Sequence, residues 1–176
     1  RQMCIRDSVK TLELYPNTAI AVPLLVDKHN RNIDHIEVLP EIANKFYNIE
    51  SNKNKLDKNL LFGDTCITFS WAAIMLLNNS VLKKTKLFDK KYFLYWEDYD
   101  LCRKLYNLKL PIIKSFNSRA YHLKHSSVKD NLINYFIIQM FHVYSSYLYF
   151  NLDKNNKILI KRFFIYLFRS FSYLLI

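Results

Sequence analysis

The run Phe88-Asp89-Lys90-Lys91-Tyr92-Phe93-Leu94-Tyr95-Trp96-Glu97-Asp98-Tyr99-Asp100-Leu101-Cys102-Arg103-Lys104-Leu105 constrains this chain more than any other stretch. A wall of aromatic side chains leads straight into the carboxylates of Glu97, Asp98 and Asp100. Aromatic runs drive burial, and a carboxylate carried into a buried setting costs free energy unless it is paired or used. The pattern then becomes helical: Leu101, Leu105 and Leu108 fall at i, i+4 and i+7, a single apolar stripe. The acids therefore occupy the N-terminal end of a helix, where the backbone dipole favours negative charge. A carboxylate fixed there, at the rim of an aromatic wall, is a candidate general base.

The rest of the chain supplies a domain around this segment. Hydrophobic residues make up 51% of 176, enough for one domain with a real core. Val9 to Tyr15 reads as the end of a helix broken by Pro16-Asn17, and Thr18 to Val26 as a buried strand. Asp27 to Asp34 is a polar turn, and Leu39 to Leu60 an Asn/Lys-rich loop with room for one short helix. Cys66 to Leu77 is a nearly continuous apolar run whose length suits strand or helix. Asn78 to Lys86 is a short basic helix, and Pro111 to Phe116 and Arg119 to Leu123 are two short strand-like runs. Residues 1–8 read as a non-native leader and are set aside. The domain then covers 9–129, with a boundary near Lys129 and a helical tail over 130–176.

Charge and cysteine usage narrow the partners. The chain carries 26 Lys and Arg against 15 Asp and Glu, a net charge of +11. Such an excess suits an anionic partner: a phosphorylated substrate, an anionic lipid surface or nucleic acid. No RNA-recognition signature or zinc-ligand spacing is present, so nucleic acid is not the expected one. Cys4, Cys66 and Cys102 form no CxxC pair, which argues against a disulfide framework and fits a reducing, cytoplasmic setting. Within the tail, Ile158 to Ile176 carries Lys161, Arg162 and Arg169 and no acid. These cations and Ser172 fall within one arc of about 100° on a helical wheel. Ile158 and Ile165 intrude on that arc. A basic amphipathic helix lying in a membrane interface fits this segment, and so does an amphipathic helix packed on the domain.

The order Phe88-Asp89, Phe93, Tyr95, Glu97-Asp98, Asp100-Leu101 and Leu105 resembles the second half of the catalytic domain of family 2 glycosyltransferases, in particular the rhamnosyltransferase-like branch. Lys104 stands where that pattern usually has Arg, with Arg103 beside it. Ala72, Lys86-Leu87 and Lys109 stand where the family usually has glycine, and Gly63 is the single glycine of this chain. The resemblance implies an α/β fold, the C-terminal part of a GT-A type nucleotide-diphospho-sugar transferase fold, and favours a strand for Cys66 to Leu77. It implies inverting transfer of a sugar such as rhamnose from a nucleoside diphosphate sugar to a lipid-linked or polysaccharide acceptor. The setting would be the cytoplasmic face of the inner membrane, with the protein peripheral on an anionic surface.

Carried over by position, Asp98 is the base that deprotonates the acceptor hydroxyl, and Glu97 shapes the site or touches the acceptor. The bland alternative has Asp98 capping the helix and Asp100 pairing with Lys104 at i+4. Asp100 is otherwise a substrate contact. Trp96 is either a sugar-stacking face or core, whereas Tyr95 is expected in the core. His122 ends a strand, with Ser127 five positions on. The resemblance makes His122 a ligand of the metal-diphosphate group, with His125 as a substitute, and Ser127 a substrate contact. The divalent cation, Mg or Mn, would take its main ligands from a nucleotide-binding half upstream, so this chain is expected to hold the acceptor half and to be inactive alone. Asp98 is expected to face an open cleft that His122 also approaches. The contrasting reading is a non-catalytic basic module that binds a membrane surface or nucleic acid. It accounts for the charge but not for the ordered acids after the aromatics.

Overall fold

The computed structural model describes residues 2–31, 38–40, 42, 63–83, 85–122, 132–150, 160, 161, 164, 165 and 168. The chain divides into two compact units, one of Arg1–Leu87 with Leu101–Leu123, the other of Phe88–Asp100 with Lys124–Ile176.

The first unit is built on a four-stranded sheet. In chain order its described elements are α1 (Gln2–Leu14), β1 (Ile20–Val26), β2 (Thr65–Ile67), β3 (Leu76–Leu77), the short α2 (Asn79–Leu82) and β4 (Ile112–Tyr121). The helix α3 (Glu97–Asn107) begins in the second unit and ends in the first. The strand order is β2-β4-β1-β3, with β1 and β4 parallel at the centre and an antiparallel strand on each side. The run Ile-Ala-Val-Pro-Leu-Leu-Val of β1 suits the centre because a parallel strand covered on both faces needs apolar side chains throughout. Ile20, Val22, Ile67, Phe69, Leu101, Leu105 and Ile112 form much of the core of this unit.

Pro23 marks an irregularity in the central pair. It stands opposite Ser115, but the next residue, Leu24, stands opposite Arg119, so Phe116, Asn117 and Ser118 are looped out of register. Proline has no N–H to give to a ladder and is tolerated in a sheet at such a bulge. The Phe116 N–H, released from the ladder, donates to Asp64 Oδ1 at 2.8 Å. The two strand-like runs expected on either side of Asn117 are therefore one strand with an excursion between its halves.

Cys66 to Leu77 is not one strand. Its first residues belong to β2 on the outer side of β4, its last to β3 on the outer side of β1. Those positions lie three strand spacings apart, about 14 Å, so the segment must leave the extended state to cross between them, and it turns at Ala72-Ala73. The basic helix expected from Asn78 shrinks to α2, with Asn78 as its N-cap, accepting from Ser80 N at 3.2 Å.

Helix α1 packs on β1 and β4. Two pairs of buried hydroxyls join it to the sheet: Thr11 Oγ1 donates to Ser115 Oγ at 2.8 Å, and Ser8 Oγ and Ser118 Oγ lie 2.9 Å apart. The helix thus starts within the residues set aside as a leader.

At its other end α3 closes with the chain reversal typical of a left-handed residue after a helix. Lys109 has φ 57°, its N–H donates to Tyr106 O at 3.0 Å, and Leu110 N–H donates to Leu105 O at 2.9 Å. This pair of bonds satisfies carbonyls that the last turn would otherwise leave open. Leu101 and Leu105 are buried as the apolar stripe requires, but Leu108 is exposed. Leu108 lies just past the last helical residue, where the chain is already turning away.

The second unit joins Phe88–Asp100 to α4 (Leu132–Tyr149). Ser145 Oγ donates to Leu94 O at 2.8 Å, and the Phe93 and Phe141 rings lie 4.9 Å apart. Among the described residues no helix is long and apolar enough to cross a membrane. The amphipathic pattern of Ile158 to Ile176 lies largely outside the described residues. Of that stretch Ile160, Lys161, Phe164, Ile165 and Phe168 are helical and exposed.

Candidate functional site

The acids sit where the aromatic run turns into α3. Trp96 O accepts the first helical bond, from Asp100 N at 2.9 Å, which makes Trp96 the residue before the helix and Glu97, Asp98 and Asp100 members of its first turn. Tyr95 and Trp96 both adopt left-handed backbone, with φ 64° and 68°. For an L-residue other than glycine this costs about 1–2 kcal/mol each, because Cβ crowds the carbonyl oxygen. Two consecutive bulky residues hold that conformation here because their rings are anchored. The Trp96 ring lies 4.7 Å from Tyr99, 5.0 Å from Tyr149, 5.3 Å from Phe150 and 5.6 Å from His142. Tyr95 lies 5.5 Å from His142. Each such aromatic pair contributes about 0.5–1.5 kcal/mol beyond its buried area, enough together to offset the backbone cost.

The three carboxylates are brought together by the helix but have different surroundings. Asp98 is 7% exposed, and its Oδ1 accepts from Tyr99 N at 2.8 Å. Asp100 is 2% exposed, and its Oδ1 accepts from the Tyr92 hydroxyl at 3.3 Å. Glu97 is half-buried, and its Oε2 has no hydrogen-bond partner among the described residues. The same holds for the buried indole nitrogen Nε1 of Trp96. A buried donor and a buried acceptor on adjacent residues, both unused, are unusual in a folded protein.

Asp98 is largely buried, with 7% of the residue exposed. The physical reason is that its neighbours in sequence, Trp96 and Tyr99, are both drawn into the ring cluster. Trp96, half-buried, belongs to this cluster, while its indole N–H stays unsatisfied. Asp100 is tied to the segment that leads into the helix.

His122 lies in the first unit, half-buried, at the end of β4, where its backbone N–H donates to Val26 O at 3.3 Å. Ser127 and His125 lie outside the described residues. Among the described residues no three His, Cys, Asp or Glu side chains gather as a metal site. Trp71 is exposed, its ring edge-on to Phe69 at 5.5 Å.

Two features had no weight in the sequence. His142, against Tyr95 and Trp96, was invisible because nothing in the sequence tells how α4 packs. The turn after β1 is the other. Asp27 Oδ1 accepts from His29 N at 2.8 Å and from Arg31 N at 2.9 Å, and Oδ2 accepts from Arg31 Nε at 2.7 Å. Arg31 Nη2 lies 2.7 Å from the same Oδ2. The Arg31 backbone N–H foremost, with its guanidinium and the His29 N–H, holds the Asp27 carboxyl down at about 2. The i, i+4 spacing of opposite charges was the available signal.

Against known proteins the chain is 29% identical over 103 residues to the rhamnosyltransferase WbbL of Escherichia coli (strain K12), a match covering 58% of this chain and 38% of that protein. No family model matches the chain, and no solved structure matches it. The match is distant and partial, and it suggests a glycosyltransferase-like relationship. The mixed sheet with its parallel centre is compatible with a Rossmann-like architecture.

Proposed function

We propose that this protein is a glycosyltransferase of the inverting kind, in which Asp98 acts as the general base. The acceptor is a lipid-linked or polysaccharide hydroxyl, and the donor a nucleoside diphosphate sugar, with rhamnose as the sugar suggested by the similarity. The acceptor oxygen attacks the anomeric carbon while the bond from that carbon to the diphosphate oxygen breaks. The hydroxyl proton passes to Asp98, and the leaving nucleoside diphosphate takes the bonding electron pair. An alcohol is a poor nucleophile, so a positioned carboxylate contributes typically 10²- to 10⁴-fold.

The observation that carries this reading is the Asp98 carboxylate. It is oriented by Tyr99 N–H and buried directly behind a backbone corner strained at Tyr95 and Trp96. Strain of that kind is kept where surrounding structure enforces it, and it clusters at functional sites. Glu97 Oε2 and Trp96 Nε1, an unused acceptor and an unused donor, are suited to hydroxyl groups of a saccharide, each of which both donates and accepts. Asp100, tied to Tyr92, holds the corner against the helix. The described residues offer His122 but no cluster to complete a site for the divalent cation. The basic excess suits an anionic membrane surface, where a lipid-linked acceptor would reside.

The test is Asp98→Asn in the complete gene product, assayed for transfer of labelled sugar from the donor to a lipid-extract acceptor. The variant keeps volume and removes the base, so turnover should fall by about 10²-fold or more while donor binding is kept. Unchanged turnover excludes the role.

A further inference from the structure

Helix α4 is reversed relative to a helix that faces water. Its buried face carries Val143, Ser145, Ser146 and Tyr149. Ser145 Oγ donates there to Leu94 O, and Ser146 Oγ to Val143 O at 2.7 Å. Its outer face carries Ile133, 69% exposed, Ile137, 44%, and Tyr144, 52%, with the half-buried Met140 between them. At 100° per residue these four fall within one arc of about 60°, on the side away from the serines. A surface helix ordinarily turns its apolar stripe inward and its charges outward. From Leu132 to Tyr149 there is no Asp, Glu, Lys or Arg, whereas α1 carries four charged residues and α3 five.

The apolar surface extends past this helix. Phe93, 79% exposed, lies with its ring 4.9 Å from that of Phe141, the neighbour of Met140. In the same unit Ile160, Phe164 and Phe168 are helical and exposed at i, i+4 and i+8, a second apolar stripe. Exposed apolar surface of this kind marks a site for a protein or a membrane. A protein partner must match the shape of each stripe, whereas a lipid surface covers any stripe that reaches it. Charge points the same way. Residues 124–176 hold seven Lys and Arg against two Asp, all outside α4. Lys124 and Lys129 precede the helix, and five cations follow it between Lys154 and Arg169. An uncharged apolar face between basic flanks suits an anionic bilayer, whose acyl boundary takes the apolar side chains while its headgroups hold the cations. A tyrosine such as Tyr144 is at home at headgroup level. Among the described residues no helix is long and apolar enough to cross a membrane, so α4 would lie along the surface.

We propose that the outer face of α4, with Phe93 beside it, is the surface by which this protein enters an anionic lipid bilayer, Ile133, Ile137 and Tyr144 being the inserted side chains. The entry is assigned to α4 and not to residues 158–176, and it does not depend on the transfer reading.

The experiment is sedimentation of the full chain with vesicles of equal parts phosphatidylcholine and phosphatidylglycerol. Ile133→Gln combined with Ile137→Gln leaves the net charge and the buried face of α4 as they are. It should weaken binding at least about tenfold through loss of two inserted side chains. Ile5→Gln, at an exposed isoleucine of α1, should leave binding unchanged. Added salt screens the cations and weakens binding of every variant, but the ratio between the double variant and the unsubstituted chain should persist. Diffuse charge attraction gives no such ratio at any salt. Tyr144→Trp supplies a second readout: its emission should shift to the blue on vesicles and be quenched by lipids brominated on their acyl chains, measured against the unsubstituted chain. Full binding by the double variant, or no added quenching in Tyr144→Trp, would overturn the proposal. So would a dimer, seen by ultracentrifugation without vesicles, that the double variant dissociates while vesicle binding is kept; the stripe would then belong to a second copy. The vesicles hold neither donor nor acceptor, so their binding is read apart from sugar transfer and stands or falls without it.

Discussion

Lys109→Gly should make the protein more stable, and the size of the gain follows from the backbone. Lys109 holds φ 57° at the position just past α3, where it closes the helix through the bonds to Tyr106 O and Leu105 O. An L-residue in that region gives up about 1–2 kcal/mol to crowding of Cβ, and glycine gives up none. Against this, glycine raises the conformational entropy of the unfolded chain, which costs about 0.4–1 kcal/mol. Loss of a cation at the helix C-terminus removes about 0.3 kcal/mol more. The net gain is about 0.5 kcal/mol, a rise in thermal midpoint of roughly 1–2 °C for a chain of this size. Urea unfolding followed by far-ultraviolet circular dichroism would show a higher midpoint at unchanged slope. Lys109→Ala is the control, because alanine keeps the Cβ and therefore the crowding. A midpoint lowered by glycine, or raised as much by alanine as by glycine, would refute the backbone argument.

Two further outcomes can be checked. Tyr92→Phe removes the hydroxyl that Asp100 Oδ1 accepts from, inside the protein, and should cost about 1–3 kcal/mol of stability, read by the same unfolding assay; a change below about 0.3 kcal/mol would mean that the bond contributes little. Asp27 should titrate at about 2, below its ordinary 3.8. Because the folded value is the lower one, its contribution to stability is complete above about pH 4 and lost as the pH falls through about 2. Since the Arg31 backbone N–H is the largest cause, Arg31→Ala should leave the Asp27 midpoint, followed by carboxyl NMR, still clearly depressed; a return to the ordinary value would show that the guanidinium dominates instead.

Local pattern carried much of the fold. The apolar run of β1 and the first turn of α3 lie where residue type and spacing place them, because each depends on contacts close in sequence. The failures arose where distant partners decide. Cys66 to Leu77 reads as one apolar run, yet it serves two opposite edges of a sheet whose order no local pattern reveals. The excursion at Phe116–Ser118 looked like a gap between two strands because its cause, Pro23, lies on the neighbouring strand. At the site, the positions of Glu97, Asp98 and Asp100 on one helical turn were legible. The burial of Asp98 was not, because it depends on rings from α4 gathering around Trp96 and Tyr99. The pairing of Arg31 with Asp27 was present as a spacing, but the backbone N–H groups that share the Asp27 carboxylate were not, because they depend on how the turn closes.

The corner at Tyr95 and Trp96 makes demands that no ordinary residue meets together. Its backbone would be relaxed with glycine, and its ring cluster needs large aromatic side chains. Glycine at either position would ease the main chain and empty the cluster; another aromatic L-residue would keep the rings and the strain. The two positions are thus locally frustrated, in a protein whose other choices largely agree with one another. That conflict marks the corner as a place where the fold gives up stability, immediately before the acids begin.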